Sequence, residues 1–250
     1  MESSRILRNS QIIILGLCIA LATILSTLIF AKTLVKIKKF TSEVIQVTGS
    51  AEKKIVSDLS IWHINLSSYA PQMSEAYDRL KTYSATVRHY LGKKGLKDNE
   101  IFTTQIYTET IYKRNLKGYT TNEIEGFRLS KSIDVQSTNV YLVTEVSRKI
   151  TSLLKKGVNL SSDPPQYFYT NLAQLKLDMI SQATEDAKNR AQKMADATGN
   201  EIGHMHSADM GVFQITSVNS TEVSNWGVND TSSLEKKVTA VVHVDFGIKE

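Results

Sequence analysis

The sequence predicts an α+β fold, a mostly antiparallel sheet with helices packed on it, preceded by one N-terminal transmembrane helix. Three observations predict it. Residues 12–30 are almost wholly apolar. Beyond them, strand-like and helix-like segments follow in the order ββαββαβαββ, which mixes hairpins with crossovers. The third observation is a long amphipathic stretch at residues 170–200, whose row of small side chains would let a helix lie flat on a sheet.

The apolar segment defines the start of the chain. No charged residue lies between Asn9 and Ala31, and this length matches the roughly 20 residues that cross a bilayer core. We predict an uncleaved signal anchor at residues 11–32, after a tail at 1–10 and before a basic linker at 33–42. A cleaved signal peptide is the main alternative, but its apolar core is usually about 7–15 residues long and followed by a small-residue cleavage site.

The positive charge of the chain lies around this segment. The net charge is +5, yet residues 41–250 contain equal numbers of basic and acidic side chains. An excess confined to the flanks of an apolar segment indicates a membrane surface, so we predict the lipid bilayer as a partner of residues 11–32 and exclude nucleic acid. The single cysteine, Cys18, lies inside the anchor, which excludes an intramolecular disulfide.

The first part of the predicted domain at 43–249 is a hairpin followed by a helix. Apolar side chains alternate on both sides of a turn at Asp58, which predicts two paired strands at 44–67. Residues 74–94 then show the helical period, with Ser74 placed to cap the start and a glycine placed to end the helix.

The middle of the domain repeats this arrangement. Strand patterns at 101–112 and 127–136 surround a loop. A second helix is predicted at 140–156, from apolar side chains spaced by three and four and a closing Gly157. Two adjacent prolines precede a short predicted strand at 166–169.

The long helix and two strands complete the domain. Strands are predicted at 201–210 and 237–246, and residues 212–234, rich in Ser, Thr and Asn, are predicted to be a long loop or a mobile hairpin tip. The buried stripe of the helix at 170–200 is predicted to consist of Leu172, Leu175, Met179, Ala183, Ala187, Ala191, Met194 and Ala195.

Four stretches of this domain resemble the SIMPL-domain family of bacterial envelope proteins, in the same order. They are the opening strand at 44–52, the turn into a strand at 95–104, the strand start at 126–130, and the helix and exit at 183–203, with Ala183, Asp186, Ala187, Arg190, Ala191, Met194, Ala195, Gly199, Ile202 and Gly203. The resemblance implies export to the periplasm or cell surface, self-association into homo-oligomers and a link to envelope or oxidative stress. It implies no established catalytic residue.

Two considerations conflict on the orientation of the anchor. Two basic side chains precede the apolar segment and four follow it, which by the positive-inside rule favours a cytoplasmic C-terminal domain. The exported habit of the family implies the opposite. We predict a single-pass protein of the bacterial inner membrane with its C-terminal domain in the periplasm.

Few residues suggest chemistry, and we predict no catalytic residue, cofactor or metal site. His204 and His206 are the weak candidates for a metal site, since alternate residues of a strand share a face and could bind copper or zinc, although no third ligand is near in sequence. His63, His89 and His243 are isolated. A carboxylate pair in a cleft beside the loop at 212–234 would indicate a hydrolase, with candidates Asp58, Asp134, Glu185, Asp186 and Asp209.

Aromatic residues concentrate near strand ends and in the long loop. Core packing explains most of them, while exposed ones, including Trp226, are candidates for an oligomer contact. They are Tyr107, Tyr112, Tyr119, Tyr167, Phe168, Tyr169 and Trp226. We therefore predict a non-enzymatic, membrane-anchored envelope protein whose domain self-associates. A hydrolase with a carboxylate site and a metal-handling protein using His204 and His206 are the alternatives.

Overall fold

The computed structural model of the chain describes the backbone of residues 3–42 and 44–249, and the side chains of residues 14–37 and 44–249. Its helices are α1 Ser3–Ser42, α2 Met73–Lys93, α3 Val140–Lys149 and α4 Leu172–Ala197. Its strands are β1 Val44–Val56, β2 Leu59–Ala70, β3 Ile101–Thr103, β4 Tyr107–Arg114, β5 Thr120–Ser137, β6 Leu160–Ser162, β7 Gln166–Phe168, β8 Glu201–Met210, β9 Gln214–Ser217, β10 Val228–Asn229 and β11 Glu235–Lys249. Short 3₁₀ helices lie at Asp98–Glu100 and Ile150–Lys156.

Helix α1 contains the apolar segment. Its stretch Ile14–Ile37, 24 residues long, is the one described helical segment long and apolar enough to cross a membrane. The predicted anchor at 11–32 overlaps this stretch. The helix continues to Ser42, so the segment predicted as a basic linker is helical. The hydroxyls of Thr23, Thr27 and Thr33 donate to backbone carbonyls three or four residues earlier. Such bonds would satisfy these polar groups inside a membrane.

The chain divides into two compact units. The first unit comprises Met1–Ser50, Gln182–Gly211 and Val241–Glu250, and the second comprises Ala51–Ser181 and Val212–Ala240.

The second unit is built on an antiparallel sheet with helices on one face. The strand order is β3-β5-β2-β6, with β4 also on β5 and β7 also on β2. The central pair, β2 and β5, is joined over eleven residue pairs, from Ser60↔Ser137 to Ala70↔Phe127. Alternate residues of this pair, including Trp62, Ile64 and Ile133, are fully buried beneath α2 and α3, in one core with Leu80, Val87, Leu91, Val143 and Ile150. This period-two burial is why the segments form strands.

The first unit is built on α4 and the strands β8 and β11. Val242–Lys249 pair antiparallel with β8, and the register shifts twice within β8. The side chains of Ala183, Ala187, Ala191 and Ala195 are all fully buried. Helix α4 approaches β1 closely at Gly49, near the end of this unit's part of the strand. A Cβ on Gly49 would overlap the Ala183 carbonyl oxygen and lie 2.5 Å from the Ala187 nitrogen. Only a strand without a side chain at this point tolerates the contact.

The predicted fold class, α+β with a largely antiparallel sheet, is confirmed. Several details of the prediction are wrong. Met194 is half-exposed and does not belong to the buried stripe. The predicted strand at 101–112 is two strands, β3 and β4, and the predicted helix at 140–156 tightens into a 3₁₀ helix after Lys149. The segment 212–234, predicted as a loop, contains the parallel pair β9 and β10.

Candidate functional site

The two histidines predicted as weak metal candidates lie on β8, and both are exposed. The two register shifts of β8 fall around them, one between Ile202 and Met205 and one between Met205 and Ser207. The regular alternation that placed both rings on one face is therefore interrupted. The His206 ring lies against Gly247, where a Cβ would come within 2.9 Å of Nε2. In residues 44–249 no three His, Cys, Asp or Glu side chains are grouped to hold a metal ion.

The candidate carboxylates hold neighbouring segments of backbone. Asp58 accepts hydrogen bonds from the Thr170 amide and hydroxyl, both at 2.8 Å. Asp186 accepts from the Ser50 amide and the Arg190 side chain, each at 2.9 Å, and the Ser50 bond is the main reason that its pKa is lowered. Glu185 and Asp209 are exposed. None of the described hydrogen bonds joins two of these carboxylates, as a shared proton would require.

Asp134 belongs to a polar cluster on the outer face of the second unit's sheet, which the sequence did not reveal. Its Oδ1 lies 2.7 Å from His63 Nδ1 and accepts from the Ser132 hydroxyl at 2.6 Å. Burial acts to raise the pKa of Asp134, but these hydrogen bonds outweigh burial and lower it. The Ser132 hydroxyl donates to the carboxylate and not to the imidazole, so the cluster lacks the serine–histidine bond of an activated nucleophile.

A cavity of about 350 Å³ lies in the second unit. We call it the hydroxyl pocket because six of its lining side chains carry a hydroxyl group. One wall comes from α3 and the 3₁₀ turn after it, and the other from the β6–β7 connection. Its lining consists of Thr144, Ser147, Arg148, Thr151, Ser162, Asp163, Pro164, Pro165, Tyr167 and Ser232.

Most hydroxyl hydrogens of this pocket are already engaged by the protein. Thr144 donates to the Val140 carbonyl at 2.7 Å, and its oxygen lies 2.7 Å from the Tyr167 phenol. Because a hydroxyl carries one hydrogen, Tyr167 is the donor to Thr144 when both bonds form. Ser147 donates to the Thr144 carbonyl at 3.0 Å. The wall therefore presents mainly acceptor oxygens to the cavity.

A buried lysine binds the backbone carbonyl of Tyr167. Lys236, almost fully buried, donates to the Tyr167 carbonyl at 2.6 Å. Burial lowers the pKa of Lys236, and Asp230 partly opposes this effect. Asp230 Oδ1 accepts from the Ser232 amide and hydroxyl at 2.7 Å, whereas its buried Oδ2 has no hydrogen-bond partner among the described residues. These contacts fix the wall that carries Tyr167 and Ser232.

Residues 45–246 match the family described as SIMPL, a protein of unknown function (DUF541). The chain belongs to the SIMPL family. The resemblance inferred from the four stretches is thereby confirmed. No curated protein matches this SIMPL chain.

One solved structure similar to the SIMPL chain is a protein provisionally described as an aminohydrolase, from methicillin-resistant Staphylococcus aureus. The identity is 11% and the TM-score is 0.25, over 59% of this chain and 40% of the other. The chain thus spans less than half of that protein. At this TM-score the similarity supports no conclusion about fold or function.

Five exposed large apolar side chains lie on one two-stranded element of the SIMPL domain, and others are scattered over the rest of its described surface. We call this element the arm: β4, the turn after it and the facing residues 120–126 of β5. Strand β4 pairs with β5 alone. At the base of the arm, Gly126 lies close to the backbone of β2: a Cβ built on it would be 2.7 Å from the Ala70 carbonyl oxygen. The exposed apolar side chains of the arm are Tyr107, Tyr112, Leu116, Tyr119 and Ile124.

The other aromatic residues divide between core and surface. Tyr167 is buried, and Phe168 and Tyr169 are half-buried, whereas Trp226 is 95% exposed. The side chain of Gln214 holds the segment that carries Trp226. Its Oε1 accepts hydrogen bonds from the backbone amides of Ser224 and Val228 at 3.3 and 3.0 Å. Trp226 therefore projects from an ordered loop.

Proposed function

We propose that the chain is a membrane-anchored protein of the bacterial envelope, whose SIMPL domain self-associates through the arm and performs no enzymatic step. The observation that carries this proposal is that five exposed large apolar side chains share the two strands and the turn of the arm. Isolated exposed apolar residues are ordinary on a protein surface, but several on one two-stranded element are typical of an interaction site.

Burial of the apolar side chains of the arm would favour association. Full burial of one large apolar side chain contributes about 1.5–3 kcal/mol, and tyrosines are enriched where interfaces bind most strongly. Leu116 at the tip is completely exposed, and Tyr107 and Tyr119 are about two-thirds exposed. Covering these side chains with the same element of a second copy would form a two-fold contact, the commonest arrangement in homo-oligomers.

Helix α1 and the family support the proposed location. Helix α1 supplies a segment of sufficient length and apolarity, and the proposed topology places the SIMPL domain in the periplasm, anchored in the inner membrane. The charge count around the segment favours the reverse orientation. Labelling of an engineered arm cysteine from outside the cytoplasm distinguishes the two. The link to envelope or oxidative stress that the family resemblance implies stays a prediction.

The mass of the full-length protein in detergent tests self-association. We expect the wild type to exceed the monomer mass in light scattering after subtraction of the detergent. The double substitution Leu116→Ser and Tyr119→Ser should return it to the monomer, because it removes apolar area that only a partner covers.

Trp226→Ser provides the matched control. It also removes a highly exposed large side chain of the second unit, but one outside the arm, so the mass should stay at the wild-type value. A wild-type monomer at high concentration would contradict self-association. A mass changed by Trp226→Ser and not by the arm substitutions would assign the contact to the loop instead.

A further inference from the structure

The hydroxyl pocket contains one positive and one negative side chain that do not neutralise each other. Arg148 and Asp163 both line it, yet no ion pair within 4.0 Å joins them in the described part of the chain. The Asp163 carboxylate accepts one long hydrogen bond, from the side-chain Nδ2 of Asn65 at 3.3 Å. Arg148 has no described hydrogen bond or ion pair, although its neighbour on α3, Lys149, pairs with Glu145. The guanidinium thus retains its donors for a ligand.

The remaining wall has a defined polarity. Ser232 donates its hydrogen to Asp230, and Ser162 accepts from the Trp62 indole at 3.0 Å while it lies 3.4 Å from the Asp163 carbonyl. With Thr144, Ser147 and Tyr167 engaged as donors to the protein, oxygen lone pairs face the cavity. Asp163 and these oxygens would accept hydrogen bonds from an ammonium group, and Arg148 would donate two to a carboxylate.

We propose that the hydroxyl pocket binds a small zwitterion, a free α-amino acid with an apolar side chain. Its carboxylate pairs with Arg148, and its ammonium group is received by Asp163 and the hydroxyl oxygens. Pro164, Pro165 and the Tyr167 ring supply the apolar contact. The volume of about 350 Å³ is at the small end of the range for ligand sites. This proposal is independent of self-association, because it uses no residue of the arm.

Matched ligands separate the two charges. Equilibrium dialysis of the full-length protein in detergent would compare L-valine with isovalerate, which lacks the ammonium group, and with isobutylammonium, which lacks the carboxylate. We expect saturable binding of L-valine with a dissociation constant on the order of millimolar. Each single-charge analogue should bind about tenfold more weakly or worse, because one charge-assisted contact is lost.

Substitutions assign the binding to this pocket. Arg148→Gln and Asp163→Asn should each weaken L-valine binding about tenfold or more, and Arg148→Gln should leave the weak isobutylammonium binding unchanged. Lys149→Gln, the neighbouring cation on α3 outside the pocket, should bind L-valine like the wild type. Circular dichroism and the thermal midpoint should match the wild type for all three, since these side chains are exposed.

Several outcomes would overturn the proposal. They are the absence of saturable L-valine binding, binding insensitive to both pocket substitutions, and isovalerate or isobutylammonium binding as tightly as L-valine. Competition by glucose at equal concentration would indicate a carbohydrate site instead and would equally refute an amino-acid ligand.

Discussion

Two hydrogen bonds, one from the neighbouring strand β2 and one from its own strand β5, determine the behaviour of Asp134. Its carboxylate lies on the outer face of the sheet, opposite His63 in the β2–β5 register, and accepts from both His63 and Ser132. These bonds stabilise the ionised form, so the pKa in the folded protein lies below the ordinary value. Because the pKa is lower when folded than when unfolded, the ionised carboxylate stabilises the fold.

This stabilisation has a defined pH dependence. It is fully present above the unfolded pKa, about 3.9 for Asp, and is lost as the pH falls through the lower folded pKa. We expect the wild type to lose more unfolding free energy than Asp134→Asn between about pH 5 and pH 2, measured by denaturant titration. Asp209→Asn, exposed on β8, is the control and should follow the wild-type curve. Parallel curves for the wild type and Asp134→Asn would contradict this account.

The sequence predicts on which face of its strand each of these residues lies, but it does not predict which residues of the two strands lie opposite each other. Strand alternation predicts that His63 points to one side of β2 and that Ser132 and Asp134 share a side of β5. Whether they meet depends on register, which is set by the buried neighbours of both strands, such as Ile64↔Ile133. That information is spread over 71 residues of chain. From the sequence alone, His63 is therefore predicted to be isolated, and the structure shows it paired with Asp134.

Helix α4 shows what periodicity can predict about an element. The four alanines spaced by four were predicted to be buried, and all four are. Met194 lies at the edge of the predicted stripe and is exposed. An apolar residue at this edge can face solvent while the spacing of the buried residues stays the same. Gly49 lies in the opening strand at 44–52 that resembles the family, but its close contact with α4 is visible only in the packed structure.

The close approach of α4 to Gly49 is directly testable. We expect Gly49→Ala to lower the unfolding free energy by about 1–3 kcal/mol, the usual cost of forcing a methyl group into a packed contact. The backbone atoms that it would meet, at Ala183 and Ala187, cannot move without shifting the helix. Thermal and denaturant unfolding of the full-length protein in detergent would measure the change.

Gly92→Ala is the matched control for this substitution. Gly92 lies within α2, and no atom lies within 4 Å of a Cβ built there. Alanine at a helical position with free space should stabilise by about 0.5–1 kcal/mol. Equal effects of the two substitutions would show that Gly49 does not limit the helix–strand distance.

In the arm, the alternation of apolar and polar side chains does not predict where a strand begins. Strand β5 begins at Thr120, seven residues before the predicted start at Phe127, and residues 120–125 have no buried side chain. Amphipathic alternation arises only where one face of a strand is buried. In the arm, pairing is secured by backbone hydrogen bonds between β4 and β5, which the side-chain pattern does not record.

The charge and hydropathy of the whole chain divide it into an apolar segment with basic flanks and a neutral remainder. The net charge of +5 is accounted for by residues flanking the apolar segment. Composition predicts this division, and the segment Ile14–Ile37 is long and apolar enough to cross a membrane. The hydroxyl pocket could not be foreseen, because its walls come from α3, the β6–β7 connection and Ser232, which only the fold brings together.

Cross-linking of the arm in intact cells tests export and self-association at once. The protein would carry Cys18→Ser and Leu116→Cys, so that the arm tip holds its single thiol. We predict that a membrane-impermeant bismaleimide, added to spheroplasts, yields a covalent dimer, and that Trp226→Cys in the same background is modified without cross-linking. A dimer that forms only after lysis would contradict the periplasmic location, and a Leu116→Cys thiol that is modified but never cross-linked would contradict association through the arm.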